Sequence, residues 1–232
     1  NLTSSSYNIP KEIKEFKWLN KKVTVEIIIQ GNGATIQGQG DNNGNQHFIH
    51  LNKKQDLIIS NLTISGFNTA LLCEKQSFTD LFNVTFINNR INDYGGAIRA
   101  GKDSSVNILE CVFKNNYGKY GGAIYSKGII SIGNSIFISN TASDRGSDIY
   151  EEYGTIIGTY CKFVNSSSDK TLIYSLRGVV ILDYCLFENN NDSQAFENII
   201  KVFFIIIYKM MCKPFGLIAI SYFTKIFLPF LI

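Results

Sequence analysis

Proline is nearly absent from this chain, with 3 in 232 residues, and histidine is scarcer still, with 2. So little proline excludes proline-rich linkers and collagen-like repeats. Charged residues make up only 18% of the chain against 45% hydrophobic, which excludes a disordered chain and favours a packed core. The net charge of +3 is spread thinly, with no basic stripe to hold nucleic acid. The 5 cysteines (Cys73, Cys111, Cys161, Cys185 and Cys212) are odd in number and lack a CxxC pair, so neither a disulfide framework nor a zinc site is supported. No metal and no cofactor are expected.

What is plentiful points one way. Asn, Gly and Ser serve turns, while Ile, Val, 12 Tyr and 17 Phe serve strands. "FINNRINDYGGAIRA" at 86–100 is echoed by "FKNNYGKYGGAIYS" at 113–126. Anchored on Phe86, the equivalents are Phe113, Phe137, Phe163 and Phe187 downstream, with Ile64 and Ile36 upstream. Their spacings run from 22 to 28 residues, a period that signals a solenoid. Seven before the anchor stand Leu57, Thr79, Val106, Ile130, Ile156 and Val180. Two before it stand Leu62, Val84, Cys111, Ser135, Cys161 and Cys185. Spacing by two places side chains on one face of a strand.

Each repeat therefore reads as a short strand, a tight bend, a second strand ending at Phe, an Asn-rich turn, and a third strand carrying Ile98, Ile124, Ile149 or Ile173. No repeat holds an apolar run of helical period. Strands with one apolar face must pair with their copies in the next repeat, which stacks interior columns about 4.8 Å apart. The expectation is an all-β, right-handed parallel β-helix of about seven coils. The Asn columns (Asn88 and Asn89, Asn115 and Asn116, Asn140, Asn165, Asn189 and Asn190) are read as left-handed turn residues and stacked amide ladders. Gly95, Gly96, Gly121, Gly122 and Gly146 are read as turn formers.

"FINN…GGAI" and "FKNN…GGAI" resemble the FxxN/GGA[IL] repeat of polymorphic outer-membrane proteins. "IIIQGNGATIQGQG…DLIISNLTISGFN" resembles the opening coils of adhesin-like β-helix proteins on methanogen cell surfaces. The likeness spans roughly residues 23–190, and later coils depart from it with "RGSDI" and "KTLI". It implies a surface-exposed, non-catalytic adhesin or interaction scaffold that binds a glycan or protein partner, outside the cell or on its surface.

The ends differ from the middle. Residues 1–22 are read as an N-terminal cap, with a short amphipathic helix over 10–19 that turns Ile13, Phe16 and Leu19 to one side. The β-helix proper is placed at 23–197. Residues 198–232 form an apolar tail: an end cap, a membrane contact or anchor, or an out-of-frame tail, with Lys225 inside the apolar stretch arguing against a span. The chain starts at Asn1 rather than Met, so a removed leader or a piece of a longer adhesin is expected.

A polysaccharide lyase or glycoside hydrolase is the alternative, since such chemistry needs paired carboxylates on one outer face. Asp80, Glu110 and Asp183 fall in different columns. His47 and His50 should point to opposite faces of a strand. "GDNNGN" at 40–45 reads as a turn, because Asn52 stands where a calcium loop needs Glu. Cys161 and Cys185 share an inward column in adjacent coils, as buried thiols or as a bridge. The candidate binding site is the outward column beside the third-strand isoleucines: Arg99, Tyr125, Tyr150 and Tyr174. If exposed, these tyrosines would form an aromatic strip able to stack on sugars or anchor a partner. Asp148, standing where the earlier repeats have Ala97 and Ala123, is expected to point outward as well.

Overall fold

The repeat's three strands recur in order around the coils, and among the described residues the strand pairings are parallel. In the coil of Phe113 they are Ile98–Ala100, then Ser105–Leu109, then Val112–Lys114 beyond a bend. A computed structural model describes residues 5–13, 26–41, 43–168, 171–190 and 194–197. It is an all-β parallel solenoid of about seven turns. A 12-stranded sheet carries both strands that flank the bend, a 7-stranded sheet carries the third strand, and a 3-stranded sheet covers the turn between them.

The columns stand in register. Leu57, Thr79, Val106, Ile130, Ile156 and Val180 are successive partners. So are Ile36, Ile64, Phe86, Phe113, Phe137, Phe163 and Phe187. The five phenylalanines form a continuous stack, with ring centroids 5.1, 4.7, 4.8 and 5.0 Å apart. Burying one such ring contributes about 1.5–3 kcal/mol, and each ring pair about 0.5–1.5 kcal/mol more. Ile49, Leu71, Ile98, Ile124, Ile149 and Ile173 close the core from the opposite sheet.

The two positions after each Phe that hold asparagine in most coils divide their work. The first (Asn88, Asn115, Asn165 or Asn189) takes a positive φ between 51° and 56° and makes the turn. The second is wholly buried at Asn89, Asn116 and Asn140 and builds the ladder. The Oδ1 of Asn116 accepts from the backbone N and the Nδ2 of Asn89, at 3.1 and 3.0 Å. The Nδ2 of Asn116 donates to the carbonyl of Phe86 at 3.0 Å. Asn140 repeats this one coil on, and Asn190 does so with Ser166 N and Phe163 O. Each amide thus satisfies buried backbone groups that the turn would otherwise strand.

Gly121 has φ +69°, and a Cβ there would strike the carbonyl oxygen of Ile124. Gly95 and Gly146 repeat that conformation, whereas Gly96 and Gly122 do not. The latter two are required instead by close stacking of successive coils, since a Cβ on Gly96 would meet Gly122 O.

One kink breaks the alternation of sides. The backbone N atoms of Ala123 and Ile124 both donate to Asp148 O, at 3.0 and 2.9 Å, and those of Phe48 and Ile49 share Ala70 O in the same way. Two successive N–H groups aimed at one carbonyl cannot alternate, so residues before the kink keep the side of those after it. Asp148 is consequently buried inside the turn rather than pointing outward as expected. His47 and His50 likewise lie on one side, with rings 6.4 Å apart, not on opposite faces.

The bend between the first two strands holds a second left-handed column: Asn61, Asn83, Glu110, Asn134, Tyr160 and Tyr184, all with φ between 47° and 55°. Asn suits this conformation; a bulky residue there is an outlier that costs on the order of 1–3 kcal/mol.

Before the coils begin, Ser6–Asn8 already pairs with Thr35–Gln37 of the long sheet. Residues 10–13 form a turn. The expected cap helix from residue 14 on and the apolar tail from 198 lie outside the described residues. Among the described residues there is no α-helix, and none long and apolar enough to cross a membrane.

Candidate functional site

The 7-stranded sheet fixes the column singled out in the sequence. Leu72, Arg99, Tyr125, Tyr150 and Tyr174 are consecutive partners on the face turned away from the core. The three tyrosines form an aromatic cluster separate from the main core. Centroids are 5.5 Å apart for Tyr125–Tyr150 and 4.7 Å for Tyr150–Tyr174.

They are not an open strip. Tyr125, Tyr150 and Tyr174 are only 3%, 7% and 2% exposed. A second row folds over them from the turn before each glycine, displaced by one coil. Tyr94 packs on Tyr125 at 4.5 Å, Tyr120 on Tyr150 at 5.2 Å, and the Arg145 guanidinium on Tyr174 at 4.8 Å. Tyr120 and Arg145 are themselves register partners. The expected exposure fails because that turn lies back on the sheet. Leu72 and Arg99 keep partly open side chains, Arg99 lying over Tyr94 at 5.1 Å and 3.4 Å from Asp93 Oδ2.

The slab is electrically neutral in its middle and charged at its margin. Tyr125 donates a short hydrogen bond to Glu152 Oε2, and Lys127 Nζ stands 3.2 Å from Glu152 Oε1. Burial, reinforced by Glu152, pushes the Tyr125 phenol far up. Burial and neighbouring Tyr174 and Glu152 do the same for Tyr150. These phenols stay protonated at neutral pH, so they offer packing and hydrogen bonds rather than a base or nucleophile.

The other candidates do not converge. Asp80 Oδ1 accepts from Asn107 at 2.8 Å, and Glu110 and Asp183 lie in separate columns. His50 Nε2 is 3.1 Å from Glu74 Oε1, and His47 Nδ1 is 2.8 Å from Thr69 O. Among the described residues, no group of three or more His, Cys, Asp or Glu is placed to hold a metal ion. Residues 40–45 turn, with Gly44 N bonded to Asp41 O at 3.1 Å. Cys73, Cys111, Cys161 and Cys185 are buried free thiols. Burial raises Cys73 and Cys111 to about 11. The hydrogen bond with Cys185, and then burial, raise Cys161. Cys73, Cys111 and Cys161 therefore stay protonated and inert as nucleophiles, while the same hydrogen bond lowers the pKa of Cys185.

Three features escaped the sequence reading. Tyr94 and Tyr120 cover the slab; their signal is the Tyr that precedes Gly-Gly in both full repeats. Tyr160 and Tyr184 stack at the bend; their signal is "YCKF" and "YCLF" at matching offsets. Glu151 is wholly buried, and its carboxylate accepts from Ser175 Oγ at 2.6 Å and from Gly154 N. Gly178 leaves it the room it occupies, and burial pushes its pKa above the usual carboxylate range. Its signal is its place two residues after the inward Ile149 on the same strand.

Residues 83–101 and 110–127 match the profile of the Chlamydia polymorphic membrane protein repeat. Over 94 residues the chain is 36% identical to the probable autotransporter YfaL of Escherichia coli (strain K12), an alignment that covers 37% of this chain. The chain spans 7% of the length of that curated relative. No solved structure matches.

Proposed function

We propose that this chain is a right-handed stretch of a surface-exposed, non-catalytic adhesin-like scaffold, which binds a cell-surface glycan or protein partner along the outside of its coils. The observation that carries the reading is the match of two consecutive coils, residues 83–101 and 110–127, to the repeat of a polymorphic membrane protein. The likeness to an autotransporter supports the same placement, at the cell surface or outer membrane. The fold suits the role: stacked coils turn a short repeat into a long rigid rod, with one copy of each outward residue per coil. The slab of Tyr125, Tyr150 and Tyr174 gives the rod's third-strand face a firm backing, and Arg99 and Lys127 supply charge at its margin. Asp80, Glu110 and Asp183 stand apart in separate columns, which favours binding over glycoside cleavage.

The test is adhesion. Beads coated with the folded chain should adhere to surfaces bearing glycans or cell-envelope proteins, while polysaccharides incubated with the chain release no reducing ends. Steady release of reducing sugar would replace the scaffold with an enzyme.

A further inference from the structure

The geometry points to a saccharide-binding line along the left-handed bend, centred on Tyr160 and Tyr184; it rests on the scaffold reading above and gives that reading a ligand class and an address. Of the outward aromatic side chains, these two are among the most open, at 61% and 52% exposure, in contrast to the covered tyrosine slab. Their rings lie 5.0 Å apart and 9° from parallel, so each coil presents the same ring in the same pose. They occupy a left-handed position that Asn61, Asn83 and Asn134 fill in other coils. Tyrosine is a poor choice there for folding, and the inference starts from that mismatch.

The surroundings are those of a sugar subsite. Exposed Asn134 precedes the pair on the line, and Thr159 and Asp183, half-buried, flank it on the adjoining strands. The Lys162–Glu188 ion pair, 2.8 Å long, borders the other side. Amide, hydroxyl and carboxylate groups bond sugar hydroxyls, while the ring faces that Tyr160 and Tyr184 do not turn to each other can take the C–H face of a pyranose. Further along the same line, Asn32, Asn61, Asn83, Thr63 and Thr85 line a shallow groove of about 360 Å³. Asn83 Nδ2 there donates to Asn61 Oδ1 at 2.8 Å. From Asn61 to Tyr184 the line's only carboxylate or cation is Glu110. Coils rise about 4.8 Å each, close to the length of one pyranose unit, so an extended oligosaccharide lying along the axis meets one side chain per coil. A line one residue wide is too narrow for a protein partner, which needs about 800 Å² per side.

The experiment uses the full chain and its Tyr160→Asn, Tyr184→Asn double variant, with neutral β-linked tri- to hexasaccharides of glucose, mannose and N-acetylglucosamine as probes. Asn is the native choice at this bend, so the variant should melt at the same temperature or higher. Its binding should fall about tenfold or more while wild type binds. Equal binding by the variant overturns the line and leaves the scaffold reading intact. Wild-type binding to proteins but to none of the saccharides also overturns it, with the scaffold again intact. Failure to bind either class removes both. A variant that melts lower would show the pair to be structural; a Tyr160→Phe, Tyr184→Phe variant then decides, because ring stacking on sugar survives loss of the hydroxyl, and lost binding in it overturns the inference.

Discussion

Asp148 and Ser166 show how single departures from the repeat are reconciled. Where other coils have a ladder asparagine, Ser166 is too short to receive the amide of Asn140. Where other coils have alanine, Asp148 Oδ1 accepts instead, from Asn140 Nδ2 and Ser166 Oγ, both at 2.8 Å. Asp148→Ala should therefore destabilise by about 1–3 kcal/mol, because two buried donors lose their acceptor. Adding Ser166→Asn should recover most of the loss, and urea midpoints of the four proteins in the cycle measure the coupling. Additive effects would separate the two sites. Glu151 carries a different signature. Burial raises its pKa above the ordinary carboxylate range, so the folded state holds the proton more tightly than the unfolded state. Stability from this group is full below the ordinary carboxylate range and declines as pH rises through the raised value. Glu151→Gln should remove that decline: the wild type should lose ground to the variant between acid and neutral pH in paired melting curves. Asp148 was visible in the sequence as a break in a column, but its inward pose was not, because the kink that sets it depends on two N–H groups sharing one carbonyl. Glu151 follows Ile149 by two in an unbroken strand, so alternation alone turns it inward.

Among the elements, interior columns were legible and their covering was not. Alternation by two identifies which side chains of a strand face the core, and the anchors from Phe86 to Phe187 stack as the period requires. Phe137→Ala should cost about 3–5 kcal/mol, since rings pack on both its faces, and a chemical melt should report it. The turn before each Gly-Gly follows no such period, so the sequence hides its path over the sheet, and alternation alone leaves Tyr125, Tyr150 and Tyr174 open. Tyr120→Ser tests that lid. It should leave the coils folded, destabilise by about 1 kcal/mol, and let Tyr150 ionise at lower pH. Phenolate absorbance during alkaline titration records the shift; an unchanged titration would mean that the second row does not shield the first.

At the scale of the whole molecule, the coils are interchangeable parts held by nearest neighbours. Val112 and Ile136 are register partners, so deleting residues 113–136 joins equivalent positions. The shortened chain should keep its β-sheet circular dichroism and melt only a few degrees lower, about what one lost interface implies. Removing half a coil instead should abolish cooperative melting, since every later column would meet the wrong partner. The same arrangement has a mechanical side. Peptide ladders, amide ladders and ring stacks all bridge one coil to the next, so they lie parallel to the long axis. Tension along that axis falls on one junction at a time, and the chain should yield by shedding windings singly, each releasing its own length of slack. A tether of this kind lengthens under load before it lets go.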